Sequence, residues 1–396
     1  MMKKYFKLAI ILACVSLMAV SCIYPFEPEA VDGSGALVIE GDILIGRNTV
    51  VKVSHTRPVS NPDAATDPID GSVWVENDAG AVFYGESDYN DTGSFTVDTR
   101  NADPSKNYRL HFLDNESGKE YVSDWAKVCS APVIDSLSYN LDYEKSKLNV
   151  ALSMHSLGES FFRWSYVEDW EYHSIYDASL RAIYKPAETW RDRPSIVVEP
   201  LDIMRESLYR CYRHEVSTKI LTFSTENQTD DRFVDLEFLP IERNDLRISY
   251  VYRIVVDLEP LTKDAYLYWE NIKTNSDYNG SLFAPTPSEL VGNIRCLQEP
   301  DEMVMGYISA AQIARKQLVI KHINISFFKD TERYEEPVDI GPGDWMTYYN
   351  QAFLPYEYST YPPTLNATYW APARCVDCRI RGGGTFDKPD NWPPTE

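Results

Sequence analysis

Met18-Ala19-Val20-Ser21-Cys22 sets small residues directly before a thiol, at the end of an apolar run over residues 8–20 that follows Lys3, Lys4 and Lys7. The run is too short to span a bilayer, and a basic start, an apolar stretch and small residues in that order are the layout of a secretory signal peptide. Small residues leading into a cysteine match a lipobox, in which the thiol is diacylated and cleavage makes it the new N-terminus. The alternative is an ordinary cleaved signal with a cysteine there by chance. On the lipobox reading, Cys22 is a palmitate-type lipid anchor and residues 1–21 are removed.

Five cysteines follow: Cys129, Cys211, Cys296, Cys375 and Cys378. In an exported, oxidising setting thiols pair, so Cys211, Cys296, Cys375 and Cys378 are disulfide candidates. Two bridges from the tail to Cys211 and Cys296 would each close a long loop and add about 2–4 kcal/mol on a chain-entropy argument. Four cysteines allow three connectivities, a Cys375–Cys378 bridge among them, and Cys129 is left as the unpaired thiol. Cys-x-x-Cys is also half of a zinc knuckle, an alternative the compartment disfavours.

Other chemistry lacks its parts. His55, His111, His155, His173, His214 and His322 show no His-Glu-x-x-His spacing, and no Gly-x-Ser-x-Gly elbow occurs. Gly382-Gly383-Gly384 lacks the Lys-Ser/Thr of a phosphate loop. Paired carboxylates such as Asp230-Asp231 are plentiful, but a glycosidase needs two set across a cleft, which spacing alone does not show. No catalytic, metal or cofactor residues are therefore assigned, and a hydrolase built from scattered acids is the minor alternative. Trp345, Tyr348, Tyr349, Tyr356, Tyr358, Tyr361 and Trp370 interleave with prolines and could present rings to a sugar, a peptide or a receptor loop; the competing reading is that they cover a sheet edge.

The formal charge of −22 falls to −25 once the three lysines of residues 1–21 are gone. Such a field repels phosphate backbones and anionic lipid, so nucleic acid is excluded as a partner and membrane attachment rests on the acyl chains.

The elements that must position these residues read as mainly β. Residues 22–34, with prolines and acids, form a flexible tether. Residues 36–45, 49–55, 71–77, 82–85, 94–99, 108–113 and 121–128 read as seven short strands between Asp-Ala-Gly, Asp-Thr-Gly and Asn-Glu-Ser-Gly turns, an N-terminal β-sandwich over 35–130. Its outline resembles Ig-like and transthyretin-like modules. Ser130-Ala131-Pro132 marks the boundary to a larger β-rich domain over 131–396 with a few inserted helices. Strands are expected there over 134–141, 148–154, 161–172, 219–223, 233–240, 246–258, 303–308 and 317–327. Helices are expected over 202–210 and over 261–274, where Leu261, Ala265, Tyr268, Trp269 and Ile272 share a face behind Pro260.

The chain closes on Cys375-Val376-Asp377-Cys378, a Gly-rich turn and Lys388-Pro389-Asp390-Asn391-Trp392. Upstream stand Tyr268-Trp269, Gly280-Ser281-Leu282-Phe283, Pro287, Gly292-Asn293, Gly306-Tyr307 and Leu37-Val38-Ile39-Glu40-Gly41. In these the chain resembles the domain-of-unknown-function 4249 family of Bacteroidota lipoproteins, over about residues 22–394. The resemblance implies an outer-membrane lipoprotein working beside a TonB-dependent receptor, as an accessory in uptake of a small-molecule or oligomeric nutrient. A structural or adhesin-like envelope lipoprotein is the other expectation. The family carries no established catalytic residues to transfer.

Overall fold

The computed structural model describes residues 35–56, 69–89, 91–202, 207–228, 230–277, 292–330, 336–359 and 367–392. Cys22, the signal peptide, the tether, Tyr361 and the 280–287 motif lie outside them.

Nine strands open the chain: β1 (Leu37–Glu40), β2 (Ile43–Leu44), β3 (Asn48–His55), β4 (Gly71–Asn77), β5 (Val82–Ser87), β6 (Ser94–Asp98), β7 (Asn107–Asp114), β8 (Glu120–Ser123) and β9 (Ala126–Cys129). Alternation places one face of β3, β4 and β6 inside: Thr49, Val51 and Val53 are buried on β3 while Asn48, Val50 and Lys52 are exposed. The expected strand over 36–45 is broken at Gly41-Asp42, where Asp42 turns to accept from Ser309 N (3.1 Å) and Arg163 (2.5 Å). That over 121–128 breaks at Asp124-Trp125, where Asp124 N bonds Asn293 O instead.

The second unit contributes β10 (Val133–Asp142), β11 (Lys147–His155), β12 (Phe161–His173), β13 (Leu180–Lys185), β14 (Ser195–Pro200), β15 (Arg210–Val216), β16 (Leu221–Ser224), β17 (Arg232–Glu242) and β18 (Val251–Leu261). The sheet β10-β11-β17 packs its Leu148, Val150 and Leu152 with Phe162, Trp164, Tyr252, Ile254 and Val256 of the central sheet, which runs β15-β12-β18 and adds β16 beside β12. The strand expected over 246–258 starts late. Asp245 accepts from Arg247 N (2.9 Å) and stabilises a 3-10 turn at Leu246–Ile248 first. Helix α1 (Lys263–Asp277) buries Ala265 and Tyr268 as its spacing requires, but Leu261 and Pro260 belong to β18, with Pro260 opposite Phe162. The expected helix over 202–210 lies partly outside the described residues, and Arg210 already belongs to β15.

The chain then returns to the first unit. β19 (Ile294–Cys296) pairs with β8, β20 (Val304–Met305) runs parallel to β1, and β21 (Ala310–Ala311) inserts in parallel between β2 and β9. The first core therefore joins Ile39, Val51, Val75, Val97, Tyr108 and Phe112 to Cys296, Val304, Ile308 and Ala310, and is not built from residues 35–130 alone. The return depends on Gly306. At φ 136°, it passes so close to β1 that a Cβ there would sit 2.0 Å from Ile39 O. Gly306→Ala is expected to lose at least about 2 kcal/mol of stability through this clash and the backbone strain, read as a lowered urea midpoint with an unchanged slope.

Beyond β22 (Ala314–Lys321), which joins the edge of β18, the expected strand to 327 ends in a helical turn α2 (His322–Ile325). The tail adds β23 (Val338–Ile340), helix α3 (Trp345–Asn350), β24 (Phe353–Tyr358), β25 (Thr368–Pro372), α4 (Ala373–Val376) and α5 (Cys378–Gly382), with β25 central in a β23-β25-β24 sheet. These elements pack on the β13–β14 hairpin around Ile196, Ile340 and Trp370.

Candidate functional site

The C-terminal ribbon lies across the open face of the central sheet because several independent contacts pin it there. Cys378 is bridged to Cys211 on β15. Tyr212 and Thr385 exchange backbone hydrogen bonds of 2.8 and 2.9 Å. Gly384 N donates to Tyr172 Oη (2.7 Å), and a Cβ on Gly384 would meet Tyr212 O at 2.4 Å, so only glycine lets the ribbon come this close. Arg213 donates to Gly382 O (2.8 Å), Arg381 to His173 O (2.8 Å) and Arg253 to Asp390 O (3.0 Å). At the end, Trp392 Nε1 donates to Glu171 Oε2 (2.9 Å) and its ring meets Tyr212 edge-on. Burial alone would raise the Glu171 carboxyl; hydrogen bonds from His173 and Trp392 and the charge of Arg210 hold it below the usual range instead.

Lys388-Pro389-Asp390 thereby becomes one wall of a cleft of about 460 Å3 whose floor carries Asp169, His214 and Arg253. Asp169 is 1% exposed in the middle of β12. Its Oδ1 meets His214 Nδ1 at 2.7 Å, and its Oδ2 takes two hydrogen bonds from Arg253, at 3.0 and 2.7 Å. A buried carboxylate needs such partners, and two committed oxygens fix the rings and forks that hold it. The His214 side chain is 60% exposed, so its other nitrogen faces solvent. At the cleft's edge Arg315 grips Asp257 with two bonds of 2.6 and 2.5 Å. Because a carboxylate only accepts, His214 Nδ1 is the donor to Asp169 and Nε2 of the neutral ring is left as an acceptor, while the Arg253 guanidinium on the floor and the Lys388 ammonium on the wall supply N–H donors.

The cysteine expectations divide. Cys211 and Cys378 are joined, but a bridge to Cys296 does not hold: Cys296 is a free thiol in the first core, beside Tyr121 on the neighbouring strand. Cys375 lies buried against Ala178 and Ala371 and takes no part in the bridge. Cys129 is a buried free thiol, and burial pushes it up to about 12, with Glu159 adding. It should resist iodoacetamide in the native protein at pH 8 and react on unfolding in urea, checked by mass spectrometry. Among the described residues no three His, Cys, Asp or Glu side chains gather as a metal site.

The aromatic stretch is corrected too. Trp370 is fully buried, Trp345 stands tilted against it, and Tyr348 packs on Phe353, while Tyr349 lies against Tyr184 and Tyr356 stacks on Tyr176. Of the described members only Tyr358 is exposed, so these rings chiefly build a small core. The residues that line the cleft were missed by spacing. The available signal was Glu168, Asp169 and Glu171 inside a strand otherwise dense in aromatics, since buried acids in a central strand require cationic partners.

The fold and cleft define a β-rich protein of two large cores and smaller ones in the tail, with a tail-walled polar groove, and no described helix is long and apolar enough to cross a membrane. The chain belongs to the family described as domain of unknown function (DUF4249), which matches residues 23–317. The C-terminal Cys-x-x-Cys and Lys-Pro-x-x-Trp ending lies beyond that span. No curated protein matches the chain significantly.

Proposed function

We propose that the chain is a lipid-anchored outer-membrane accessory that captures a small-molecule or oligomeric nutrient for a TonB-dependent receptor. The observation that carries this reading is Asp169. With both oxygens engaged, it fixes His214 and the Arg253 guanidinium in place, which suits recognition of an acceptor-rich ligand such as a carboxylate, phosphate or sugar. The export signal ending at Cys22 and the family support the envelope setting. Extraction of native membranes in mild detergent, with the chain as bait, should bring down a β-barrel receptor; repeated recovery without one would overturn the reading. A scaffold or adhesin-like role is favoured by one observation, the exposed rings of Tyr84, Tyr89 and Trp190, which would suit a neighbouring surface. A deletion strain with altered surface assembly but normal growth on every nutrient would select it.

A further inference from the structure

The two cores meet across a buried polar cluster that the cleft does not use. Arg163 of β12 donates through Nη2 to Asp42 of the first unit (2.5 Å), and through Nε (3.2 Å) and Nη2 to Glu259 Oε2 of β18, while Trp269 of α1 covers its guanidinium at 4.1 Å. Asp42 and Glu259 side chains are each 8% exposed. Glu259 Oε1 has no hydrogen-bond partner among the described residues. Nearby, Asp257 of the same strand is held by Arg315 and, at 3.7 Å, by Arg47, so those two cations are committed elsewhere. Cys129 lies within electrostatic reach of Glu259 and of Glu159, with Lys127 the cation that acts on it. Two carboxylates therefore share one guanidinium, and with both ionised the cluster holds one unbalanced negative charge out of water.

We propose that Asp42, Arg163 and Glu259 form a proton-operated joint between the first unit and the central sheet, closed while Glu259 carries a proton and loosened when it loses it. Burial pushes the Glu259 carboxyl from its ordinary 4.5 up to about 7, with Asp42 and Asp257 adding to the rise and Arg163 opposing it. Oε1 is the oxygen free to carry the proton. Separating Asp42 from Glu259 relieves the ionised state, and a cleft of about 190 Å3 bordered by Asp42, Asn48, Arg163 and Glu259 admits the water that hydrates it. On the anchored reading proposed above, the first unit follows the tether in sequence, so the joint would set how the body sits on the membrane, whatever the ligand cleft binds.

The sign follows from linkage. The closed state holds the proton more tightly than the open one, so opening becomes easier as pH rises between 4.5 and 7 and levels off above. The opening equilibrium should grow up to about tenfold per pH unit in that window. Hydrogen exchange of the full chain, corrected for intrinsic amide rates, reads this at Ile43 and Ser309, whose amides bond Ser309 O and Asp42 on the first unit's side of the joint. Protection there should fall by roughly 30- to 100-fold from pH 5 to 7.5, while Ile254 and Val256 in the central sheet stay unchanged. Glu259→Gln, fixed in the neutral form, should abolish the pH dependence. Asp42→Asn, which leaves one acid to one base, should do the same and serves if the first variant folds poorly. Wild-type protection independent of pH, or an unaltered profile in both variants, would overturn the proposal.

Discussion

Arg163→Met is expected to cost about 3–5 kcal/mol at pH 8, because it strands two buried carboxylates and leaves no cation to balance them. The methionine fills much of the same volume and keeps contact with Trp269, so lost packing contributes little. The loss has a diagnostic pH dependence. Arg163 opposes the rise that burial imposes on Glu259, so without the guanidinium Glu259 binds its proton still more tightly when folded than when unfolded, and acid favours the folded variant. The deficit relative to wild type should therefore shrink from pH 8 to pH 5, read from urea midpoints at each pH. A deficit of the same size at both pH values would mean that packing, not charge, makes the cluster matter.

Cys211→Ser with Cys378→Ser is the second large effect. The bridge spans 167 residues of sequence, and on a loop-entropy argument its removal should cost about 2–5 kcal/mol. The other ribbon contacts, from Arg213, Arg381 and Gly384, persist in the double variant, so the fold should survive at room temperature with a lower midpoint. Reduction of the unfolded wild type before refolding should reproduce the loss. Because the ribbon forms the wall of the Asp169 cleft, the ribbon amide of Gly384 should also exchange faster in the double variant, while Val150 in the opposite sheet should not.

Local structure was legible where side-chain periodicity or turn chemistry acts over a few residues. The strand at Gly71–Asn77 and the aromatic strand at Phe161–His173 follow from composition, and the amphipathic face of α1 follows from spacing. The return of Ile294–Ala311 into the first sheet was not legible, since parallel two-residue pairings such as Leu37 with Val304 leave no periodic trace. Asp42 with Arg163, and Asp169 with Arg253, join positions 121 and 84 residues apart, and sequence lists the charges without saying which will meet. The same limit explains Cys296. An oxidising compartment argues that thiols pair, but the fold puts this one in the first core, away from the tail that was expected to reach it. Trp370 was open to both readings because an aromatic residue serves a core and a binding face equally well.

The most direct test of the account is a photo-activatable residue placed at Lys388, on the wall of the cleft, in living cells that express the chain from its own first residue. On irradiation it should cross-link to a TonB-dependent β-barrel receptor, with less product when the native nutrient is supplied in excess. Cross-links that never include such a receptor, while the same probe at Tyr84 or Trp190 captures one, would contradict the claim that this groove is the working surface.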